Sequence, residues 1–310
     1  MLTSLPHPAA ARQNIRLLLW RDDLLHPPPL PGNKARKLKY NLLQAKAEGQ
    51  TRLLTFGGAY SNHLAAVAAA GRLYGFGTVG VVRGDELARQ PLNPVLSRCQ
   101  ADGMGLRFVS RADYRRRTEP AFLADLQRQY GPAYLLPEGG TNALALRGVA
   151  ELVSEVRQHT DFTHLAVAAG TGGTLAGLVL GLAEADYPAR ALGVAVLQGG
   201  GFLRDDIAAL LAEAADVAAR TGARTGARTT ATTARAWPAY ELHLNYHFGG
   251  YAQRPPELLR FMADFATTYG ARLDPIYTSK LLFGAFDLLE RGHFAPGSTV
   301  VVVHTGGIFQ

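Results

Sequence analysis

Residues 165–175 read Leu-Ala-Val-Ala-Ala-Gly-Thr-Gly-Gly-Thr-Leu, and this stretch decides the fold class. The apolar run over 165–169 predicts a buried strand, and the run after the corner predicts a helix over 175–183. Small corner residues let a backbone approach a phosphate, while helix-start N–H groups and threonine hydroxyls bind its oxygens. The corner lacks the lysine of a Walker loop and the spacing of a dinucleotide motif. The candidate phosphate ligands are Gly170, Thr171, Gly172, Gly173 and Thr174.

The same order of strand, glycine turn and helix recurs along the chain. Residues 53–56 predict a strand, Gly57-Gly58 a turn, and residues 60–74 a helix that begins with Ser61 and Asn62. Helices and strands continue to alternate, which predicts an α/β fold with parallel sheets. The β-branched run over 298–303 is typical of a central parallel strand. Further strands are predicted at 78–82, 106–109, 134–136, 192–197 and 241–246.

Composition restricts the class of protein. With 310 residues, 47% of them hydrophobic, the chain is long enough for about two domains. A single cysteine, Cys99, excludes an intrachain disulfide and a multi-cysteine metal site, and favours a cytoplasmic protein. The N-terminus lacks a basic region followed by a long apolar run, so no signal peptide is expected. Residues 164–183 are nearly free of charge, but the glycine corner argues against a membrane span.

The net charge of +7 invites a nucleic-acid interpretation, but the excess is local. The repetitive tract at 220–235 contains four arginines, and without them the net charge is 7 − 4 = +3. This tract lacks the apolar groups that would order it, so a low-complexity mobile loop is predicted. It also lacks interleaved aromatic residues, and we expect no nucleic-acid partner.

Residues 32–40 read Gly-Asn-Lys-Ala-Arg-Lys-Leu-Lys-Tyr and supply the candidate nucleophile. Asn33 is predicted to cap a helix, which places Lys34 in the first turn. The helix dipole disfavours an ammonium there and lowers its pKa, and a lysine with a lowered pKa can form a Schiff base. The alternative is a solvated basic helix start. Lys280, which also opens a predicted helix, competes for the same role.

Taken together, these motifs resemble the fold-type II pyridoxal-phosphate enzymes, in the group of 1-aminocyclopropane-1-carboxylate deaminase and D-cysteine desulfhydrase. The similar segments are GNKARKLKY, TFGGAYSNH, PEGGTN, AAGTGGTLAGL, LDPIYTSK and VVVHTGG, in matching order. The resemblance implies an α/β fold of two parallel-sheet, three-layer domains, as in the tryptophan synthase β subunit. A large domain would comprise 1–49 and 147–310, and a small domain, 50–146, would be inserted. Pyridoxal 5′-phosphate would bind between them.

The resemblance also implies roles for individual residues. Lys34 matches the lysine that holds the cofactor aldehyde and later moves the α-proton. Asn62 matches the asparagine that hydrogen-bonds the ring hydroxyl, and Ser61 with its helix start matches the substrate-carboxylate site. Residues 170–174 match the phosphate cradle. Tyr251 and Tyr277 match active-site tyrosines, although a buried tyrosine is more often a core aromatic.

Thr278 departs from the deaminase branch, which has a glutamate beside the ring nitrogen at the matching position; the desulfhydrase branch has threonine. A neutral hydroxyl stabilises a protonated pyridinium less than a carboxylate does. The sequence therefore favours β-elimination from a small amino acid, as in D-cysteine desulfhydrase, giving pyruvate, ammonia and sulfide. The alternatives are 1-aminocyclopropane-1-carboxylate deamination and a catalytically silent cofactor-binding protein. Tyr60 stands where the family usually has glutamine, so the identity of the substrate is left open. The family resemblance also implies a homodimer.

Overall fold

The computed structural model describes residues 2–24, 30, 32–221 and 237–307. The predicted low-complexity loop at 220–235 lies outside the described residues from position 222 onward. The described residues divide into two compact units. The larger unit takes its described residues from Met1–His26, Pro31–Asn33 and Asn142–Ile308, and the smaller unit is mainly Lys34–Thr141.

Helices and strands alternate through most of the described chain. The strands are β1 (Leu2–Ser4), β2 (Arg16–Trp20), β3 (Arg52–Gly57), β4 (Gly77–Arg83), β5 (Met104–Val109), β6 (Tyr134–Leu136), β7 (His164–Ala169), β8 (Arg190–Ala195), β9 (Tyr240–His243) and β10 (Thr299–Val303). The helices are α1 (Pro8–Arg12), α2 (Asn33–Ala47), α3 (Asn62–Tyr74), α4 (Pro94–Ala101), α5 (Arg111–Arg115), α6 (Pro120–Tyr130), α7 (Ala143–Arg157), α8 (Gly173–Glu184), α9 (Leu203–Thr221), α10 (Pro256–Tyr269) and α11 (Thr278–Glu290).

The larger unit contains a sheet in the order β1-β2-β10-β7-β8-β9. All its strand pairs are parallel except β1 with β2, which is antiparallel and adds an edge strand that the sequence analysis does not predict. Strand β10 lies between β2 and β7 and is buried along its length, so the predicted central strand is confirmed. Alternate residues of β10 face opposite cores, because side chains alternate across a strand.

These two cores cover both faces of the larger sheet. Val301 and Val303 pack into a core with residues of α7, α8 and α9, and Val300 and Val302 pack into a second core with residues of α1, α10 and α11. Each fully buried valine contributes about 2 kcal/mol through loss of apolar surface from water. The unit is therefore a three-layer α/β structure.

The smaller unit has a fully parallel sheet in the order β5-β4-β3-β6. Leu53 contributes to a core with α2, α3 and α4, whereas Leu54 and Phe56 contribute to a core with Tyr114 of α5 and Phe122 of α6. This unit also has three layers. The predicted α/β architecture of two parallel-sheet, three-layer domains is confirmed apart from the antiparallel β1.

The unit boundaries differ from the domain limits predicted from sequence. The large domain was predicted to include 1–49, but the contacts place the chain from Lys34 onward in the smaller unit, which ends at Thr141 rather than near 146. The reason is packing: Leu38, Leu42 and Ala45 of α2 belong to the same core as Leu53. Strand β9 also ends at His243, earlier than predicted. Among the described residues, no helix has the length and apolar character needed to cross a membrane.

Candidate active site

Lys34 lies in the first turn of α2, as predicted, in the smaller unit. Its side chain is half-buried, and Nζ donates one long hydrogen bond, of 3.4 Å, to the carbonyl oxygen of Gly139. Burial lowers the pKa of Lys34 from 10.5 to about 8, because the desolvated ammonium is disfavoured. A substantial fraction of this amine is therefore neutral near pH 8, as a nucleophile or a base requires.

Two buried groups beside Lys34 also favour neutral forms. Lys37 Nζ donates to Thr141 Oγ1 at 3.2 Å. The pKa of Lys37 lies well below 10.5, mainly because the side chain is buried and also because of the charge of Lys34. Burial, then the charges of Lys34 and Lys37, likewise lower the pKa of His63. His63 Nε2 lies 2.8 Å from the Thr55 hydroxyl, which donates its proton to the carbonyl oxygen of Leu136. That hydroxyl is therefore placed to accept from Nε2–H, and the lowered pKa of His63 favours the neutral imidazole.

The turn over residues 137–141 contacts both Lys34 and the His63 ring. Gly139 and Gly140 both have positive φ, and a Cβ built on Gly140 would lie 2.9 Å from His63 Cε1. Glycine is therefore required at position 140. Glu138 accepts from the Tyr114 hydroxyl and pairs with Arg117, both at 2.9 Å, so it has a structural role here.

Ser61 and Asn62 mark the start of α3, also in the smaller unit. Ser61 is the N-cap residue, and its Oγ accepts from the backbone N–H of Leu64 at 3.3 Å. Asn62 is the first helical residue and its side chain is half-buried. The first N–H groups of a helix lack intrahelical acceptors, so this start can bind a carboxylate.

The glycine corner lies in the larger unit, between β7 and α8, as predicted. Gly172 caps the helix with φ +73°, and a Cβ there would lie 2.8 Å from Ile207 Cγ1, so only glycine fits. Thr174 is buried, and its Oγ1 donates to Asn33 Oδ1 at 3.2 Å. The corner combines close backbone approach with a helix N-terminus, the combination that favours an anion.

The predicted capping role of Asn33 is wrong. Helix α2 begins at Asn33 itself, and the Asn33 side-chain oxygen accepts from Thr174, which belongs to the larger unit as Asn33 does. Its backbone N–H donates to the carbonyl oxygen of Thr305 at 3.3 Å. The preceding residue must be glycine, because a Cβ on Gly32 would lie 2.4 Å from the Thr305 oxygen. The residue before Lys34 is thus bonded to the first turn of α8.

The larger unit brings Tyr277 and Tyr251 together beside the corner. The Tyr277 hydroxyl donates to the Tyr251 hydroxyl at 3.1 Å, and their rings meet edge to face at 5.9 Å between centroids. A Cβ on Gly170 would lie 3.2 Å from Tyr277 Cε1, so the absence of a side chain at 170 leaves room for this ring. Both tyrosines are only half-buried, unlike ordinary core aromatics.

Thr278 is fully buried at the start of α11, and Asp274 fixes its hydroxyl. Thr278 Oγ1 donates to Asp274 Oδ2 at 2.7 Å and accepts from the Asp274 backbone N–H at 2.9 Å. The same carboxylate accepts backbone N–H bonds from Ile276, Tyr277 and Thr278, each at 2.8–2.9 Å. The donor of Thr278 is therefore occupied, and only a lone pair remains for a further partner.

Sequence reasoning missed Asp274. The signal was present, since aspartate before proline near a helix start is a common capping arrangement. Lys280, the competing candidate, is fully buried, with Nζ donating to the carbonyl oxygens of Gly250 at 2.6 Å, His247 at 2.9 Å, Tyr251 at 3.3 Å and Val196 at 3.5 Å. It therefore holds the segment around Tyr251.

The chain is similar to known proteins along nearly its full length. The family model described as pyridoxal-phosphate dependent enzyme matches residues 3–306. A Pyrococcus horikoshii protein that carries the provisional name 1-aminocyclopropane-1-carboxylate deaminase is 31% identical over 281 residues, 89% of this chain and 80% of that protein. A D-cysteine desulfhydrase of Klebsiella pneumoniae is 27% identical over 313 residues, 94% of this chain and 86% of that enzyme.

A solved structure shows the same similarity in three dimensions. The crystal structure of a homologue of 1-aminocyclopropane-1-carboxylate deaminase has a TM-score of 0.81 and 29% identity. The match covers 99% of this chain and 89% of that one. Sequence and fold therefore agree on the same group of proteins.

Proposed function

The chain belongs to the family of pyridoxal-phosphate dependent enzymes, and on this premise we propose that it catalyses β-elimination from D-cysteine. The net reaction is D-cysteine plus water to pyruvate, ammonia and hydrogen sulfide. Pyridoxal phosphate, when bound, condenses with an amine and accepts electron density from the α-carbon. The chain supplies binding, orientation and proton transfer.

The residues of the site fit this cofactor. Lys34 offers a half-buried amine with a pKa of about 8, which suits attachment to an aldehyde. The corner at Gly172 leaves no room for a side chain and presents the start of α8, which suits a phosphate. Two buried polar atoms, His63 Nδ1 and Ser279 Oγ, have no partner among the described residues. One follows Asn62 and the other follows Thr278, the two residues proposed to contact the cofactor ring.

We assign each residue the step that its chemistry allows. Gly170, Thr171, Gly172, Gly173 and Thr174 would hold the phosphate, with Asn62 on the ring hydroxyl and Thr278 on the ring nitrogen. The Ser61 helix start would bind the substrate carboxylate. Neutral Lys34 would remove the α-proton, and Tyr251 and Tyr277 would contact the substrate.

Thr278 is the observation on which the choice of substrate depends. It is a neutral hydroxyl whose proton is given to Asp274, so a ring nitrogen beside it would meet a lone pair and no carboxylate. The Asp274 carboxylate would act on the ring nitrogen only through the Thr278 hydroxyl, so it would stabilise a protonated ring less than a carboxylate in direct contact. This favours a reaction in which a good leaving group departs soon after proton loss, as with the sulfur of cysteine.

Assays of the cofactor-loaded enzyme with D-cysteine, L-cysteine and 1-aminocyclopropane-1-carboxylate test the proposal. We expect pyruvate and sulfide from D-cysteine, and far less product from the other two. Lys34→Ala, loaded with the same cofactor, measures the background that free pyridoxal phosphate causes. Turnover of the cyclopropane amino acid alone would establish the deaminase instead. A cofactor spectrum unchanged by any amino acid would indicate a silent binding protein.

We further propose that the enzyme acts as a cytoplasmic homodimer. The family resemblance supports the dimer, and the single cysteine supports a reducing compartment. Cys99 is buried, and burial raises the pKa of its thiol to about 12, so it has no reactive thiolate. Light scattering after size exclusion measures the oligomeric state, and a mass of one chain would contradict the dimer.

A further inference from the structure

A cluster of Glu241, His243 and His293 lies in the larger unit and takes no part in the proposed chemistry. The Glu241 Oε2 atom lies 3.1 Å from His243 Nε2 and 2.7 Å from His293 Nε2, and the three atoms all lie within 4.8 Å of one another. One carboxylate oxygen thus faces two imidazole nitrogens at a single point.

The fold brings the three side chains to that point. Glu241 and His243 are two residues apart on β9, so both side chains lie on the same face of this strand. Strand β9 is an edge strand of the larger sheet, next to β8. His293 follows the end of α11, and its backbone N–H donates to the carbonyl oxygen of Leu288 at 3.0 Å. The rings of the two histidines meet edge to face, 5.2 Å apart.

From this geometry we propose that Glu241, His243 and His293 bind one divalent transition-metal ion, with Zn²⁺ the best match. Zinc takes imidazole nitrogen and carboxylate oxygen as ligands at about 2.0–2.2 Å, and two histidines with one glutamate form a known zinc-binding set. Ligand atoms around such an ion are about 3.3 Å apart in a tetrahedral arrangement. The two distances to Glu241 already lie close to this value.

The surroundings are compatible with an ion. Arg190 contacts the other carboxylate oxygen, Oε1, at 3.3 Å, and so orients Glu241 while leaving Oε2 directed at the histidines. The three side chains are 20–30% exposed, which gives an ion and its water ligands access. An ion would join the edge strand to the end of α11, about 50 residues later along the chain.

Calorimetric titration of ZnCl₂ into the cofactor-loaded enzyme tests the site. We expect one ion per chain, no comparable binding of Mg²⁺ or Ca²⁺, which prefer oxygen ligands, and a rise in melting temperature of about 5 °C at saturation. His243→Ala and His293→Ala should each weaken zinc binding at least about tenfold. The matched control is His159→Ala, because His159 is an exposed histidine outside the cluster.

The outcomes separate this site from the rest of the molecule. Loss of zinc binding in His293→Ala, with cofactor uptake and the melting temperature without zinc equal to those of the parent enzyme, is the expected result. Melting curves recorded without zinc show whether each variant is folded. An absence of saturable zinc binding would overturn the proposal, and so would zinc binding by both histidine variants with the affinity of the parent enzyme. Either result would mean that the cluster is a hydrogen-bonded pair of histidines on a glutamate. Neither result depends on the proposed enzyme activity.

Discussion

The sequence motifs favour Lys34 as the reactive amine and leave Lys280 as a competing candidate, and the two lysines differ in their hydrogen bonds. Each lies in the first turn of a helix, and burial lowers the pKa of each to about 8. Lys280 Nζ donates to several carbonyl oxygens, the closest at 2.6 Å, and is fully enclosed. Lys34 Nζ has one described bond, of 3.4 Å, and the Lys34 side chain is half-buried.

The comparison shows that a lowered pKa does not by itself make a lysine reactive. A reactive amine also needs a lone pair that can reach its partner. The carbonyl oxygens around Lys280 accept hydrogen bonds from its amine, whereas Lys34 Nζ has one long described bond. The same burial therefore gives a structural lysine in one region and a candidate nucleophile in the other.

Replacement of Lys34 should have the largest effect. Lys34→Ala removes the proposed attachment point and the base, so D-cysteine turnover should fall by about 10³-fold or more. Pyruvate release measures this loss, and equilibrium urea unfolding shows whether the variant is folded. Turnover within tenfold of the parent enzyme would contradict the role of Lys34.

The pH dependence of cofactor attachment tests the pKa of Lys34 directly. Only the neutral amine attacks an aldehyde, and the folded-state value, about 8, lies below the ordinary 10.5. The rate of cofactor uptake by the apoenzyme should therefore rise about tenfold per pH unit below pH 8 and level off above it. Stopped-flow absorbance follows the uptake. A rate that keeps rising beyond pH 9 would indicate an unperturbed lysine.

Replacement of Asp274 tests the carboxylate that fixes Thr278. Asp274→Asn removes the charge behind the hydroxyl and should lower kcat by about tenfold, with a shift in the absorbance of the bound cofactor. Asp287→Asn, on α11, whose carboxylate accepts from the Tyr246 hydroxyl, is the control. A spectrum and kcat equal to those of the parent enzyme would mean that Asp274 only caps α11.

Replacement of Lys280 should have the smallest effect on cofactor attachment. Lys280→Met leaves buried carbonyl oxygens without their donor and should lower the free energy of unfolding by about 3 kcal/mol, while cofactor uptake stays within about twofold. Lys46→Met, in the last turn of α2, is the control for loss of a lysine. Urea unfolding and cofactor absorbance measure the two quantities. Loss of attachment without loss of stability would reverse the assignment of the two lysines.

Much of the fold could be predicted because the strong signals are local. The apolar runs at β7 and β10, and the glycine corner before α8, specify buried strands and tight turns from adjacent residues. The sequence did not predict the antiparallel β1, because a strand of three residues has too few positions for a pattern. Nor could it place α2 in the smaller unit, because that depends on packing against Leu53.

The candidate site was predictable to a lesser degree. Motifs identify Lys34, Ser61 and Gly172, but the bond from Thr174 to Asn33 joins residues 141 positions apart. The carbonyl oxygens around Lys280 also come from distant segments, so the sequence left Lys280 as a rival. Only the folded chain shows which lysine has its donors occupied.

Reduction of the cofactor-loaded enzyme with borohydride, followed by peptide mapping, tests the central claim most directly. We expect a pyridoxyl group fixed to Lys34, in the peptide that also contains Asn33. A pyridoxyl group on Lys280, or a cofactor that is released without attachment to the chain, would contradict the assignment of Lys34 as the reactive amine.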